Sequence, residues 1–69
     1  MTPGLYRHFK GGEYLVLFEA KEATNGRDES VVAYASLTDG KVYTPVLKEF
    51  EEKVAWPDGV ERPRFLYIG

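Results

Sequence analysis

Apolar residues in this chain fall in short runs broken by glycine, proline and asparagine, the spacing of strands and turns. Residues 5–9 and 14–20 are aromatic and branched runs on either side of Lys10-Gly11-Gly12-Glu13. Glycine takes φ > 0 without strain, so the pair predicts a hairpin joining a first and a second strand. In the second strand Tyr14, Val16 and Phe18 alternate with Leu15 and Leu17, which makes both faces apolar. That pattern fits a central strand bending through a closed or nearly closed sheet. Residues 21–29 turn polar, and Asn25-Gly26 predicts a loop leading into a third strand over residues 31–37.

Thr38-Asp39-Gly40-Lys41 reads as the next tight turn, followed by a short strand around Val42-Tyr43-Thr44. Pro45 lacks the N–H of a ladder and belongs at a strand end or an edge. Thr44 before Pro45 also fits a helix N-cap with proline at the first helical position, and Leu47, Phe50 and Val54 then share one face. The expectation is one short helical turn near residues 45–51. Lys48 with Glu52 and Glu49 with Lys53 have the i, i+4 spacing of a solvated face. Two further runs, residues 53–56 and 64–68, flank Pro57-Asp58-Gly59 and predict a second hairpin or a long returning connection. Five or six short strands with one helical turn make the fold mainly β, a small SH3-like roll or barrel.

Its 69 residues form one domain, 1–69, without repeats or a linker. A chain of this size buries only about 60% of the surface its unfolded form exposes, so the core is thin. There is no cysteine, hence no disulfide and no thiolate-held metal, and nothing points to an oxidising compartment. No apolar run reaches the ~18 residues of a membrane span, and the first residues lack a signal-peptide pattern. The expected location is the cytoplasm. Nine Lys and Arg against eleven Asp and Glu give a formal net charge of −2, which offers no global attraction to nucleic acid or anionic lipid.

Gly4, Tyr6, His8, Phe9, Lys10, Gly11, Tyr14 and Val16, then Val31, Val32, Tyr34 and Leu37, then Pro63, Arg64 and Phe65 make up three sequence motifs. In these the chain resembles the bacterial family known as domain of unknown function 1653, over nearly its whole length. A fourth family motif is matched at Pro45 and Phe50, while Thr44 stands where the family has arginine and Val46 where it has leucine. After Ala20 the chain has Lys21-Glu22-Ala23-Thr24, where the family tends to carry histidine and glutamate. The resemblance implies a single small SH3-type β domain and no established activity.

The only histidine is His8. With no cysteine, a nucleophile would have to be Ser30, Ser36 or a threonine, and none sits in a nucleophile-elbow motif. Zinc takes several His or Cys ligands, and the carboxylates, Asp28-Glu29 and Glu49 with Glu51-Glu52, lack calcium-loop spacing. No cofactor or metal is expected, and Gly11-Gly12 belongs to a hairpin rather than a phosphate cradle.

Local charge is more informative. Arg7, His8 and Lys10 lie near one end of the chain, and Arg62 and Arg64 lie near the other. Side-by-side terminal strands would join them into one basic patch among Tyr6, Phe9, Phe65 and Tyr67, suited to phosphates and stacked bases. The competing reading buries the aromatics and lays the arginine stems along the core. His8 is either a polar contact or a strand histidine capping the sheet, and Trp56 is either a binding anchor or a plug for the core. Tyr6, Arg7, His8, Lys10, Trp56, Arg62 and Arg64 are therefore the candidate ligand-binding residues, and no catalytic residue is assigned. The function expected is a non-enzymatic binding or interaction module for a peptide, protein or small ligand. The alternatives are a weak single-stranded nucleic-acid binder and a small enzyme or enzyme subunit. Edge strands would allow a homodimer, but Pro3, Pro45 and Pro63 blunt edges, and the balance inclines to a monomer.

Overall fold

The computed structural model describes residues 1–24 and 28–69, so the Asn25-Gly26 loop lies outside the described residues. In chain order the elements are β1 (Gly4–His8), β2 (Glu13–Glu22), β3 (Glu29–Ser36), β4 (Val42–Tyr43), α1 (Leu47–Phe50), β5 (Lys53–Ala55), β6 (Glu61–Pro63) and β7 (Phe65–Tyr67). Five strands form one antiparallel sheet in the order β4-β3-β2-β1-β7, and β5 and β6 form a separate two-stranded ribbon. As expected, β2 is central; β1 and β7, the two terminal strands, are neighbours. The sheet is open, however, and not a closed barrel. Residues 53–63 leave it for the ribbon, so the short edges β4 and β7 are never bridged.

Turn chemistry explains the hairpins. Between β1 and β2, Gly11 and Gly12 have φ of 94° and 72°, and the Gly11 N–H donates to His8 O at 2.9 Å. Gly40, at φ 73°, closes the β3–β4 turn, where the Lys41 N–H donates to Asp39 Oδ1 at 3.0 Å. The β5–β6 turn repeats the device, with the Val60 N–H donating to Asp58 Oδ1 at 3.0 Å. In each case a short carboxylate or a glycine satisfies backbone geometry that larger residues would strain.

Three local expectations are corrected. β2 carries a bulge: Val16 faces Tyr34 but Phe18 faces Ala33, so Leu17 is the extra residue. The bulge shifts the alternation, and Phe18 is exposed instead of joining Tyr14 and Val16. Thr44 does not cap the helix. Pro45 O accepts the Val32 N–H at 3.0 Å and Val46 bridges Val31, so this stretch stays extended and α1 begins only after Val46. Val54 consequently lies in β5, and Glu52 turns to Arg64 instead of Lys48. Finally, the run over residues 64–68 is no hairpin partner of residues 53–56: β5 pairs with β6, whereas β7 returns to β1.

One face of the sheet carries the core. Tyr6, Val16, Val32, Phe50 and Phe65 are buried there, with Tyr14, Tyr34 and Leu47 packed against them. Phe50 of α1 stacks on Phe65 of β7 at 4.5 Å between ring centroids, and Tyr6 meets Phe50 edge-on at 5.4 Å. Aromatics thus supply much of the thin core, each with a larger apolar area than an aliphatic residue.

Candidate functional site

Alternation along β1 puts His8 on the core face and Arg7 on the opposite one. His8 is paired in register with Phe65, the residue after Arg64. α1 brings Glu49 and Phe50 to the same place, and Pro45 arrives on the segment that leaves β4. The result is a cleft of about 150 Å³ lined by His8, Tyr34, Pro45, Glu49 and Arg64 beside the Phe50–Phe65 stack.

His8 Nδ1 accepts the Lys10 backbone N–H at 3.1 Å, a hydrogen bond within the β1–β2 turn. Its ring also meets Phe65 at 4.9 Å and Phe9 at 4.7 Å. Burial, then the charges of Arg64 and Lys10, push its pKa below the usual imidazole value, so the ring is neutral at pH 7. With Nδ1 accepting, the proton of that neutral ring resides on Nε2, which is a donor. Arg64 is anchored twice to one residue: Nη2 to Glu52 Oε1 at 2.6 Å, and its backbone N–H to Glu52 O at 2.7 Å. Its guanidinium lies 5.9 Å from the Phe9 ring centroid, and its Nε is buried without a hydrogen-bond partner among the described residues. Burial also raises the Tyr34 pKa, keeping that phenol protonated. The cleft therefore combines the His8 ring, the Arg64 cation, the Tyr34 phenol and the Glu49 carboxylate with aromatic walls.

Of the predicted site residues, the fold gathers three. His8, Lys10 and Arg64 meet around Phe9, with Lys10 Nζ 5.7 Å from that ring. Arg7 projects to the other face and pairs with Glu13 at 2.8 Å. Arg62 remains within the ribbon, gripping Asp58 through two hydrogen bonds of 3.0 and 2.7 Å and lying 5.6 Å over Trp56. Trp56 is half-buried, and its Nε1–H donates to Pro63 O at 3.0 Å, so it fastens β5 to β6. Tyr6 is a core residue whose hydroxyl donates to Thr2 O at 2.6 Å. It lines a second, larger cleft of about 440 Å³, mostly apolar, on Met1, Thr2, Pro63 and Tyr67, which shares Phe50 and Phe65 with the first. The basic residues thus occupy three separate places. Sequence reasoning missed Tyr34, Glu49 and the anchoring Glu52; Glu49 and Glu52 looked like solvent-facing charge, and only the tertiary fold relates Glu52 to Arg64.

The family model for a protein of unknown function, DUF1653, matches residues 4–67. The chain belongs to this family. The crystal structure of a DUF1653 protein from Bordetella bronchiseptica superposes on it with a TM-score of 0.84 at 38% sequence identity, covering 100% of this chain and 88% of that one. No curated protein matches. The DUF1653 motif positions His8, Tyr34, Pro45, Phe50, Arg64 and Phe65 all line the smaller cleft. The departure at Thr44 adjoins it, next to Pro45. The departure at residues 21–24 lies at the far end of β2, where Lys21 Nζ donates to Ser30 Oγ at 2.9 Å.

Proposed function

We propose that this DUF1653 domain is a non-enzymatic binding module whose His8–Arg64 cleft holds a hydrogen-bond-accepting group, a carboxylate or carbonyl, of a peptide or small ligand. The observation that carries the reading is the convergence of a neutral histidine and an arginine on one aromatic-walled cleft. The neighbouring apolar cleft offers a place for a hydrophobic part of the same ligand. Against an enzymatic role, the cleft's one hydroxyl, Tyr34, is held protonated, and His8 already uses Nδ1. Nucleic-acid binding gains little support, because Arg7, Arg62 and Arg64 each face a carboxylate within 2.8 Å.

The test is an NMR titration with N-acetyl amino acids and short peptides bearing free C-termini, read at the His8 imidazole and the Arg64 Nε–H. Saturable shifts at both, abolished by Arg64→Leu, are expected. Ligands that leave these signals unmoved, or bind Arg64→Leu equally well, would overturn the reading.

A further inference from the structure

The other face of the sheet is open. Register places Leu5, Leu15, Ala35 and Val42 in a single row across β1, β2, β3 and β4, and the hydrogen bond from the Ile68 N–H to Leu5 O at 2.8 Å adds Ile68, just past β7, to its end. Leu66, Arg7, Glu13 and Leu37 form the adjacent row on the same face. Leu15, Leu37, Val42, Leu66, Ile68 and Phe18 are 39–57% exposed, although Leu15 sits in the middle strand of the sheet. Antiparallel sheets ordinarily turn a polar face to water. Here no helix or ribbon covers the apolar one among the described residues.

We infer that this face is the contact between two copies of the chain, packed sheet to sheet about a two-fold axis. These six side chains leave on the order of 500 Å² of apolar surface open, a patch of the size that is often functional on a small protein. The stems of Arg7 and Glu13 bring the patch toward the about 800 Å² per partner of a standard stable interface. Charge selects the occupant. A two-fold contact sets a patch against itself, so a single-sign patch would repel its copy. The charges in these two rows are Arg7 and Glu13, already paired at 2.8 Å and summing to zero, so the rows carry no net charge to repel a copy. A nucleic acid or an anionic membrane would instead call for a basic face. The His8–Arg64 cleft lies on the other side of the sheet and remains free in such a dimer.

Sedimentation equilibrium across a concentration series tests the inference, with Leu15→Lys and Val42→Lys as variants. Both positions are exposed, so folding is expected to survive, as far-UV circular dichroism checks. The unaltered chain is expected to run at twice the monomer mass in the high-micromolar range and to dissociate on dilution, and each variant to stay monomeric. Isotope-filtered NMR on a mixture of labelled and unlabelled chains, which needs no variant, is expected to give intermolecular contacts from the Leu15 methyls. A constant monomer mass, or a dimer that both substitutions leave intact and that lacks those contacts, would overturn it.

Discussion

The five-stranded sheet and the β5–β6 ribbon are both antiparallel, yet they are held by different physics. The sheet is secured by residues far apart in sequence: Tyr6, Phe50 and Phe65 meet only because β1, α1 and β7 do. The ribbon is secured locally, by Arg62 on Asp58, by Trp56 on Pro63 and by a turn ordered through Asp58. Burial of aromatic surface is worth several times a surface ion pair. Damage to the sheet is therefore global, whereas damage to the ribbon stays in the ribbon.

The largest effect is expected from Phe65→Ala. It removes the ring stacked on Phe50 and a neighbour of His8 and Tyr34. The loss expected is about 3–5 kcal/mol, enough to unfold much of a domain with a thin core, as urea denaturation followed by circular dichroism would read. If the comparison is wrong and local contacts dominate, the midpoint will hardly move.

Gly11→Val comes next, at about 1–3 kcal/mol. A Cβ at Gly11 would meet nothing within 4 Å, so the whole penalty is backbone strain at φ 94°. Replacing Gly11 by asparagine, which tolerates the left-handed region better, should recover part of the loss and separates strain from packing.

Trp56→Phe removes the Nε1–H···O bond to Pro63 while keeping an aromatic ring under Arg62, at a cost of about 1 kcal/mol. Hydrogen exchange is expected to quicken at the Trp56 and Val60 amides and to stay unchanged at Tyr6 and Val16. Equal acceleration in both regions would merge ribbon and sheet into one cooperative unit.

Acid sharpens the same contrast. The hydrogen bond from Arg62, then that from the Val60 N–H, pulls the Asp58 pKa down to about 2. A carboxylate with a depressed folded pKa contributes stability that is present above the unfolded value of about 4 and lost as pH falls to about 2. Ribbon amide shifts should change in that window. His8 behaves differently. Its lowered pKa means the unfolded chain takes up the proton first, so the sheet loses stability as pH falls below about 6.5. Arg64→Leu should move the His8 titration back toward the ordinary value, because it removes one of the positive charges that lower it.

Much of this architecture was legible in the sequence where the cause is local. Gly11-Gly12, Asp39-Gly40 and Pro57-Asp58-Gly59 each dictate their turn through backbone conformation, and the central place of β2 followed from its two apolar faces. The features that escaped depend on distant partners. The bulge at Leu17 reflects the fit of β2 against β3, and the late start of α1 reflects Pro45 and Val46 pairing with β3. The site divides in the same way: the His8 cap arises within its own turn, whereas Arg64 acquires its setting from Glu52, twelve residues earlier. A tally of basic residues near both ends could not distinguish Arg7, facing away, from His8 beside it.

The placement of β1 between β2 and β7 also bears on how the chain is made. During synthesis β1 and β2 emerge together and can pair at once, but the second neighbour of β1 is about sixty residues away and arrives last. At about 5–20 residues per second, the nascent chain spends about one to five seconds with four of the five sheet strands made and β7 still missing. Until Phe65 arrives, Tyr6 and Phe50 lack the ring that completes their packing, and β1 presents an unpaired edge. A ribosome stalled before Phe65 would hold a product with its aromatic core unfinished and one sheet edge open, the kind of species that chaperones and proteases recognise.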